Sequence, residues 1–146
     1  MAIIRKAEID DTQVILQIWL AASIQAHDFI LASFWQSELI NMRDTYLPLA
    51  ENYVIEENNA VMGFASLLRP DAFLAALFIA PEQQGHGCGS ALIDFLKQQR
   101  RELHLSVYAE NSASVGFYQK HGFSINSQGI DENTGHAELA MTWRQD

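Results

Sequence analysis

The feature that most constrains this chain is a glycine-punctuated turn between an apolar run and an apolar-periodic segment. Residues 77–92 read LFIAPEQQGHGCGSAL, so a strand ends before Pro81 and a helix begins after glycines at 85, 87 and 89. This order leaves a row of unpaired backbone N–H groups at a helix N-terminus, which favours an anion. Glycine also lets the main chain approach a phosphate without a Cβ in the way. The sequence therefore predicts a phosphate-binding turn.

Apolar periodicity along the rest of the chain predicts an α+β (α/β) fold in which strands and helices interleave around a mixed sheet. A capping-box pair, Asp10 and Gln13, is expected to begin a first helix, and a second is expected over residues 33–46, ending before Pro48. A further helix follows the glycine turn, and another is capped by Asn111 or Ser112 and ended by Gly122. The predicted strands cover residues 3–6, 53–57, 61–68, 73–80 (central), 104–109, 123–130 and 137–143.

Length and composition bound the class of protein. The 146 residues fit one domain, 1–146, and no apolar run approaches the ~20 residues that span a membrane. The first residues lack the layout of a signal peptide, and one cysteine excludes an intrachain disulfide, so we expect a cytoplasmic protein with no membrane partner. A net charge of −9 argues against nucleic acid. It is compatible with a cationic amine substrate, or with solubility alone.

A second block raises the glycine turn above a common loop. Residues 111–123 read NSASVGFYQKHGF, and the two blocks together resemble the GNAT superfamily of acetyl-CoA-dependent N-acetyltransferases. The family pattern Q/R-x-x-G-x-G/A matches QGHGCG at residues 84–89. Its N-x-x-A/S-x-x-F-Y-x-K-x-G-F block matches at Asn111, Ser114, Phe117, Tyr118, Lys120, Gly122 and Phe123. The resemblance covers nearly the whole chain and implies a twisted, mostly antiparallel sheet flanked by about four helices. The segment AHDFI near position 27, with Trp19 and Trp35, is most similar to small bacterial members of the YiaC and YjaB type.

The resemblance implies how acetyl-CoA would be held. Backbone N–H groups of the turn would bind the pyrophosphate, and the pantetheine arm would pair with the strand before it like an added strand. Asn111 is expected both to cap its helix and to bond the arm of the coenzyme. Cys88 takes the variable position of the glycine motif and is expected to be a buried structural residue rather than a nucleophile. The predicted cofactor-binding residues are Leu77, Phe78, Ile79, Gln84, Gly85, His86, Gly87, Cys88, Gly89, Ser90 and Asn111.

The implied reaction is direct attack of an amine on the thioester through a tetrahedral intermediate. Tyr118 is the candidate general acid for the departing thiolate, and its structural alternative is a core aromatic. Many family members carry a Glu that acts as general base on the fifth strand. Ser106 occupies that position here, and a serine cannot serve as a base near neutral pH. His27 is the side-chain candidate because imidazole titrates in the useful range. A water chain or direct capture of a neutral amine remains equally open, and Glu56, Glu57 and Glu110 are expected to be solvated.

The acceptor is the part that the sequence specifies least. Phe29, Trp35 and Phe73 are expected to contact it, and the YiaC-type resemblance implies a protein lysine Nε-amine. An N-terminal amine, a small-molecule amine and a non-catalytic acetyl-CoA sensor are the alternatives. A dinucleotide-binding domain is excluded because the glycine pattern does not follow the first strand. The histidines show no metal-ligand spacing, so no metal is expected. Both a monomer and a homodimer are compatible with the sequence.

Overall fold

A computed structural model describes residues 2–146, and within this range seven strands form one sheet with helices on both faces. The strands are β1 (Ile3–Lys6), β2 (Ala50–Glu57), β3 (Ala60–Leu68), β4 (Phe73–Ile79), β5 (Glu102–Tyr108), β6 (Ser124–Ile130) and β7 (Ala137–Arg144). The helices are α1 (Thr12–Ala26), α2 (Ala32–Ser37), α3 (Leu39–Asn41), α4 (Leu47–Leu49), α5 (Cys88–Gln99) and α6 (Ser112–Lys120). None of these helices is long and apolar enough to cross a membrane.

The sheet is mixed and mostly antiparallel, as predicted. Its order is β1-β2-β3-β4-β5-β7-β6, and β4 and β5 form the parallel pair. They are parallel because the chain between them passes through α5, which returns it to the same end of the sheet. The predicted central position of the apolar strand β4 is confirmed, since three strands lie on each side of it.

Each face of the sheet carries its own apolar core. On one face Leu92, Ile93 and Leu96 of α5 are fully buried against strand residues, as the periodicity predicts. On the other face the apolar stripe of α1, which includes Ile15 and Trp19, forms one buried cluster with residues of β2, β3 and β4. The loss of apolar surface on both faces stabilises the sheet, at roughly 25 cal/mol for each Å² removed from water.

The predicted capping box at Asp10 and Gln13 is wrong by two residues. The reciprocal pair is Glu8 and Asp11, and it spans a short 3₁₀ turn, Ile9–Asp11, that leads into α1. The Asp11 carboxylate accepts a hydrogen bond of 2.7 Å from the Glu8 backbone N–H. Arg5 donates to both oxygens of Asp11, at 2.8 and 3.1 Å, and to both oxygens of Glu56 on β2. Arg5 thus links Asp11 to Glu56, and this tertiary contact is not visible in a local sequence pattern.

The second predicted helix is a broken helix that runs further than expected. α2 ends at Ser37, α3 follows, and a π-helical turn, Met42–Tyr46, leads into α4. The prediction that it stops before Pro48 is wrong, because Pro48 lies in the first turn of α4, where a missing N–H costs nothing. Counted as one broken helix, this segment brings the helices in residues 2–146 to four.

The Arg5–Asp11–Glu56 network generates a prediction about stability. The hydrogen bonds from Arg5 hold the pKa of Asp11 below its usual value of 3.8, so its stabilising contribution is present at neutral pH. That contribution disappears as the pH falls through the lowered pKa. We expect Asp11→Asn to reduce the free energy of unfolding at neutral pH by about 1–3 kcal/mol. Urea denaturation measures this loss, which should vanish in acid.

Asp44→Asn is the matched control. Asp44 pairs with the adjacent Arg43, but both side chains are 54% exposed, and exposed pairs contribute little. Equal losses in the two variants, or an Asp11→Asn loss that is the same at every pH, would contradict the network's role.

Candidate active site

The site begins with a separation between two neighbouring strands. β4 and β5 share one backbone pair, Phe73 with His104, and the His104 N–H donates to the Ala72 carbonyl at 3.0 Å. Beyond this pair the strands diverge, and a cavity of about 720 Å³ lies between them. This volume is within the range of small-molecule sites, roughly 300–1,000 Å³.

A bulge in β4 accompanies the separation. Ser66 of β3 pairs with Ala76 and Leu67 pairs with Leu74, so Ala75 is the extra residue on its strand. A bulge bends its strand and increases the local twist. Ala75 is exposed and lines the cavity. The bend therefore carries β4 away from β5 where the cavity opens.

The free edge of β4 follows from its register with β3. The Ala80 N–H donates to the Met62 carbonyl at 2.8 Å, so alternate residues direct their backbone groups toward β3. Leu77 and Ile79 then direct theirs toward the cavity. The Gln84 side chain donates to the Ile79 carbonyl at 3.1 Å, which is consistent with this direction. Leu77 thus presents a backbone donor and acceptor that an extended ligand can pair with.

The glycine turn lies at the end of this edge. Gly85 and Gly87 have φ values of 82° and 85°, a conformation that L-residues with side chains rarely adopt. Gly89 is required for space, because a Cβ there would lie 3.2 Å from Cζ of Phe117. The Ala91 N–H donates to the Gly87 carbonyl, so the backbone amides before it at the start of α5 lack partners in the helix ladder. The turn has the donors that a phosphate group needs.

The predicted coenzyme residues fall into two groups. Leu77, Phe78, Ile79, Gln84, Gly89 and Asn111 line the cavity. Gly85, His86, Gly87, Cys88 and Ser90 belong to the turn and to the start of α5, outside the cavity lining. The Cys88 side chain is buried in the core, and burial raises the pKa of its thiol, so it is held as a neutral group. Cys88 would therefore contact a phosphate group through its backbone alone.

Tyr118 lines the cavity from α6. Its ring packs on Phe117 and Phe123, with centroids 5.3 and 5.5 Å away. Within residues 2–146 its hydroxyl has no hydrogen-bond partner, and burial raises the pKa of the phenol. The hydroxyl therefore remains protonated near neutral pH and is free to bond a ligand.

His27 and Asn111 are joined across the cavity wall. The Asn111 carbonyl oxygen accepts from the Ser114 N–H at 3.2 Å, which confirms the predicted N-cap and makes its Nδ2 the donor to His27 Nε2 at 3.3 Å. His27 must then carry its proton on Nδ1, which is buried without a normal hydrogen bond. Burial lowers the pKa of His27 to about 4, with the Ser23 carbonyl opposing the shift. His27 is neutral at neutral pH, and its one lone pair is already engaged.

Of the three aromatic residues expected to contact the acceptor, two line the cavity and one does not. Trp35 and Phe73 line the cavity. Phe29 is not among the lining residues; its ring packs beside them on Tyr108 at 5.7 Å and on His136 at 5.0 Å.

The carboxylates named from the sequence lie away from the cavity. Glu56 is held by Arg5, Glu110 accepts from His136 at 2.7 Å, and Glu57 is half-buried at the end of β2. Neither Glu56 nor Glu57 is fully solvated, contrary to expectation. Within the described residues no group of three or more histidine, cysteine or acidic side chains is placed to hold a metal ion.

Two titratable residues of the cavity lining were not predicted from the sequence, Tyr108 on β5 and Glu138 on β7. Tyr108 donates its hydroxyl hydrogen to Asp131, and burial and this carboxylate raise its pKa. Glu138 is the carboxylate among the cavity-lining residues. The sequence pattern assigns both residues to strands. It does not place them in the cavity, because that placement depends on the register between β5 and β7.

Comparisons with known proteins agree with this geometry. The sequence model of the Acetyltransferase (GNAT) domain matches residues 48–125. The chain is 36% identical over 140 residues to peptidyl-lysine N-acetyltransferase YiaC of Escherichia coli, which covers 96% of this chain and 95% of that protein. It is 29% identical over 133 residues to peptidyl-lysine N-acetyltransferase YjaB of E. coli, covering 90% of this chain and 88% of that protein.

Solved structures show the same fold. The solution structure of apo YjaB from E. coli matches with a TM-score of 0.85 and 26% identity, covering 100% of this chain and 99% of that one. PaiA N-acetyltransferase from Thermoplasma acidophilum, solved with coenzyme A, matches with a TM-score of 0.82 at 19% identity, covering 99% of each chain. The predicted resemblance, including the YiaC and YjaB type, is confirmed. The protein is a member of the GNAT family and an acetyl-CoA-dependent acyltransferase.

Proposed function

We propose that this enzyme transfers acetyl from acetyl-CoA to the Nε-amine of a protein lysine. One observation carries the proposal: a single cavity is bounded by the free edge of β4, by the residues that flank the glycine turn, and by Tyr118. The relatives at 36% and 29% identity are both peptidyl-lysine N-acetyltransferases, which supports lysine as the acceptor.

Main chain would hold the donor. The pyrophosphate would accept hydrogen bonds from the backbone amides at the start of α5, where the helix dipole also favours negative charge. The pantetheine arm would pair with Leu77 along the free edge of β4. Because these contacts use backbone atoms, they depend on an extended strand and on two left-handed glycines rather than on particular side chains.

The chemistry needs a nucleophilic nitrogen, a stabilised oxyanion and a proton for the departing sulfur. An outward-facing N–H of β4 would donate to the thioester oxygen as negative charge develops there. Tyr118 would give its proton to the sulfur, because this residue lines the cavity and its protonated hydroxyl has no hydrogen-bond partner among residues 2–146. Because the pKa of Tyr118 is raised, a stable tyrosinate would not form. The proton would move to the sulfur in the transition state, as the C–S bond breaks.

His27 is better suited to hold Asn111 than to accept a proton. Its pKa of about 4 makes it a weak base, and Nε2 already accepts a hydrogen bond from Asn111. We propose that this bond orients the Asn111 amide toward the coenzyme arm. The base must then be another group or water.

The acceptor class can be tested with matched peptides. We expect free-thiol release from acetyl-CoA with a peptide that carries one lysine and a blocked N-terminus, and mass spectrometry should find one acetyl group on the lysine. A peptide with a free N-terminus and arginine in place of the lysine is the control. Thiol release with this control alone would make the acceptor an N-terminal amine. Saturable coenzyme binding without release from any amine would make the protein a sensor.

The role of Tyr118 predicts a specific kinetic effect. Tyr118→Phe removes the hydroxyl but keeps the ring that packs on Phe117 and Phe123, so the dissociation constant for acetyl-CoA should be unchanged. Because the proton donor is lost, kcat should fall by about 10²- to 10⁴-fold. Calorimetry and the thiol assay measure the two quantities. Wild-type turnover in this variant would remove Tyr118 from the mechanism.

The glycine turn predicts an effect on binding. Gly87→Ala places a Cβ on a residue with φ of 85° but meets no neighbouring atom, so its cost is conformational, about 1–2 kcal/mol. If the coenzyme requires this conformation, its affinity should fall about tenfold. Gly129→Ala is the control, because that glycine has ordinary φ, open space and a place in β6. Equal affinity in both variants would argue against phosphate binding at the turn.

A further inference from the structure

The titratable side chains that line the cavity are few. Among residues 2–146 they are His27, Tyr108, Tyr118 and Glu138. Three of them are occupied or protonated: His27 by Asn111, Tyr108 by Asp131, and Tyr118 by its own proton. Glu138 is the one that carries an available lone pair together with a negative charge.

We propose that Glu138 is the catalytic group that binds the acceptor ammonium and takes the proton that frees its nitrogen for attack. This inference rests on the proposed function and deepens it, since it assigns the base that the sequence leaves open.

The register of β5 and β7 places Glu138 for this role. Ser106 lies opposite Ala140, and Tyr108 lies opposite Glu138, so Glu138 and Ser106 are diagonal neighbours on one face of the sheet. Such neighbours are about 7–8 Å apart, within reach of a glutamate side chain. β5 separates β7 from the cavity, so Glu138 reaches the cavity by extending across β5. The small side chain of Ser106 leaves room for it.

The surroundings keep this carboxylate unpaired. Tyr108 faces it from β5 but directs its hydroxyl to Asp131, and Gly129 faces it from β6 without a side chain. The nearby ionisable pair, His136 and Glu110, bond each other. The Glu138 side chain makes no hydrogen bond or ion pair with any described residue. A half-buried carboxylate without a partner is suited to an incoming cation.

The same surroundings raise the proton affinity of the Glu138 carboxylate, which favours its action as a base. Partial burial raises the pKa of Glu138 above 4.5, and the negative charge of Asp131 raises it further. A higher pKa makes a carboxylate a better proton acceptor, while it still remains ionised when the pH is well above that value.

The proton balance of the step closes. The ammonium gives one proton to the Glu138 carboxylate, and the neutral nitrogen attacks the thioester carbon. The C–N bond forms and the C–S bond breaks, and the sulfur leaves with the proton of Tyr118. A second nitrogen proton returns to the Tyr118 oxygen through water, and Glu138 releases its proton to solvent. Ammonium and thioester become amide, thiol and one free proton.

The pH dependence of kcat/KM distinguishes a base from a structural residue. With Glu138 the enzyme uses the ammonium form, so we expect a plateau that falls only as the pH drops through the pKa of Glu138. Glu138→Gln must use the rare neutral amine, so its kcat/KM should rise about tenfold per pH unit toward the lysine pKa of about 10.4. We expect a loss of at least 100-fold at neutral pH that shrinks in alkali.

Three further variants make the experiment decisive. Glu132→Gln, in the exposed turn of the same hairpin, is the control and should behave as wild type. The double variant Ser106→Glu with Glu138→Gln moves the carboxylate to the diagonal position. Its kcat/KM at neutral pH should be at least tenfold higher than that of Glu138→Gln alone. His27→Gln should lower kcat/KM by the same factor at every pH, because Asn111 loses its partner, and should therefore keep the plateau in the pH profile. Acetyl-CoA affinity, measured by calorimetry, should be unchanged in Glu138→Gln, which shows that the fold and donor site are intact.

Defined results overturn the inference. They are a plateau retained in Glu138→Gln, a uniform loss at every pH in that same variant, no recovery in the double variant, or a plateau lost in His27→Gln. If wild type transfers acetyl to peptides and Glu138→Gln matches it, the proposed function stands and this inference fails. If wild type transfers acetyl to no amine, both fail together.

Discussion

The site depends on two strands that stop pairing. After the single pair between Phe73 and His104, β4 keeps its bonds to β3 and β5 keeps its bonds to β7, and the space between them becomes the cavity. A buried strand edge without partners would be costly, because every main-chain donor and acceptor removed from water needs a bond. An edge that opens onto a ligand cavity avoids this cost, because water or a bound chain supplies the bonds. The bulge at Ala75 maintains the bend that keeps the edge free.

The two ends of the cavity are built by different means. At the proposed coenzyme end the contacts would be main-chain groups, so the required property is a backbone conformation, supplied by the left-handed glycines and by the free edge of β4. At the proposed acceptor end the contacts would be side chains from several elements, among them Trp35 of α2 and Phe73 of β4, which line the cavity. The bond from Asn111 to His27 ties these ends together, since Asn111 caps α6 and His27 ends α1.

Local patterns predicted the parts of the fold whose causes lie within a few residues. The asparagines at the β2–β3 turn both have positive φ, Asn111 caps α6, and Gly122 ends it in the left-handed region, as their residue types indicate. Asp11 was missed because its partner is Arg5 and, through Arg5, Glu56, which lies 45 residues further along the chain than Asp11. Glu138 was missed for the same reason: its place in the site follows from a strand register that no short window contains. Pro48 misled because a proline tolerated in a first helical turn resembles one that ends a helix.

Charge is distributed along the cavity in a way that orders two dissimilar substrates. The start of α5 carries the positive end of a helix dipole beside the glycine turn, while Glu138 lines the cavity from β7, where the negative charge of Asp131 acts on it. A donor with a negatively charged phosphate end and an acceptor with a positive charge would be drawn to different ends of one cleft. The cavity lining also includes Leu74, Leu105 and Val107, apolar side chains against which a charged amine is disfavoured and a neutral one is not. In the proposed mechanism the ammonium would lose its proton to Glu138 before its nitrogen attacks the thioester, so the position of this carboxylate among the cavity-lining residues would decide where the reaction can begin.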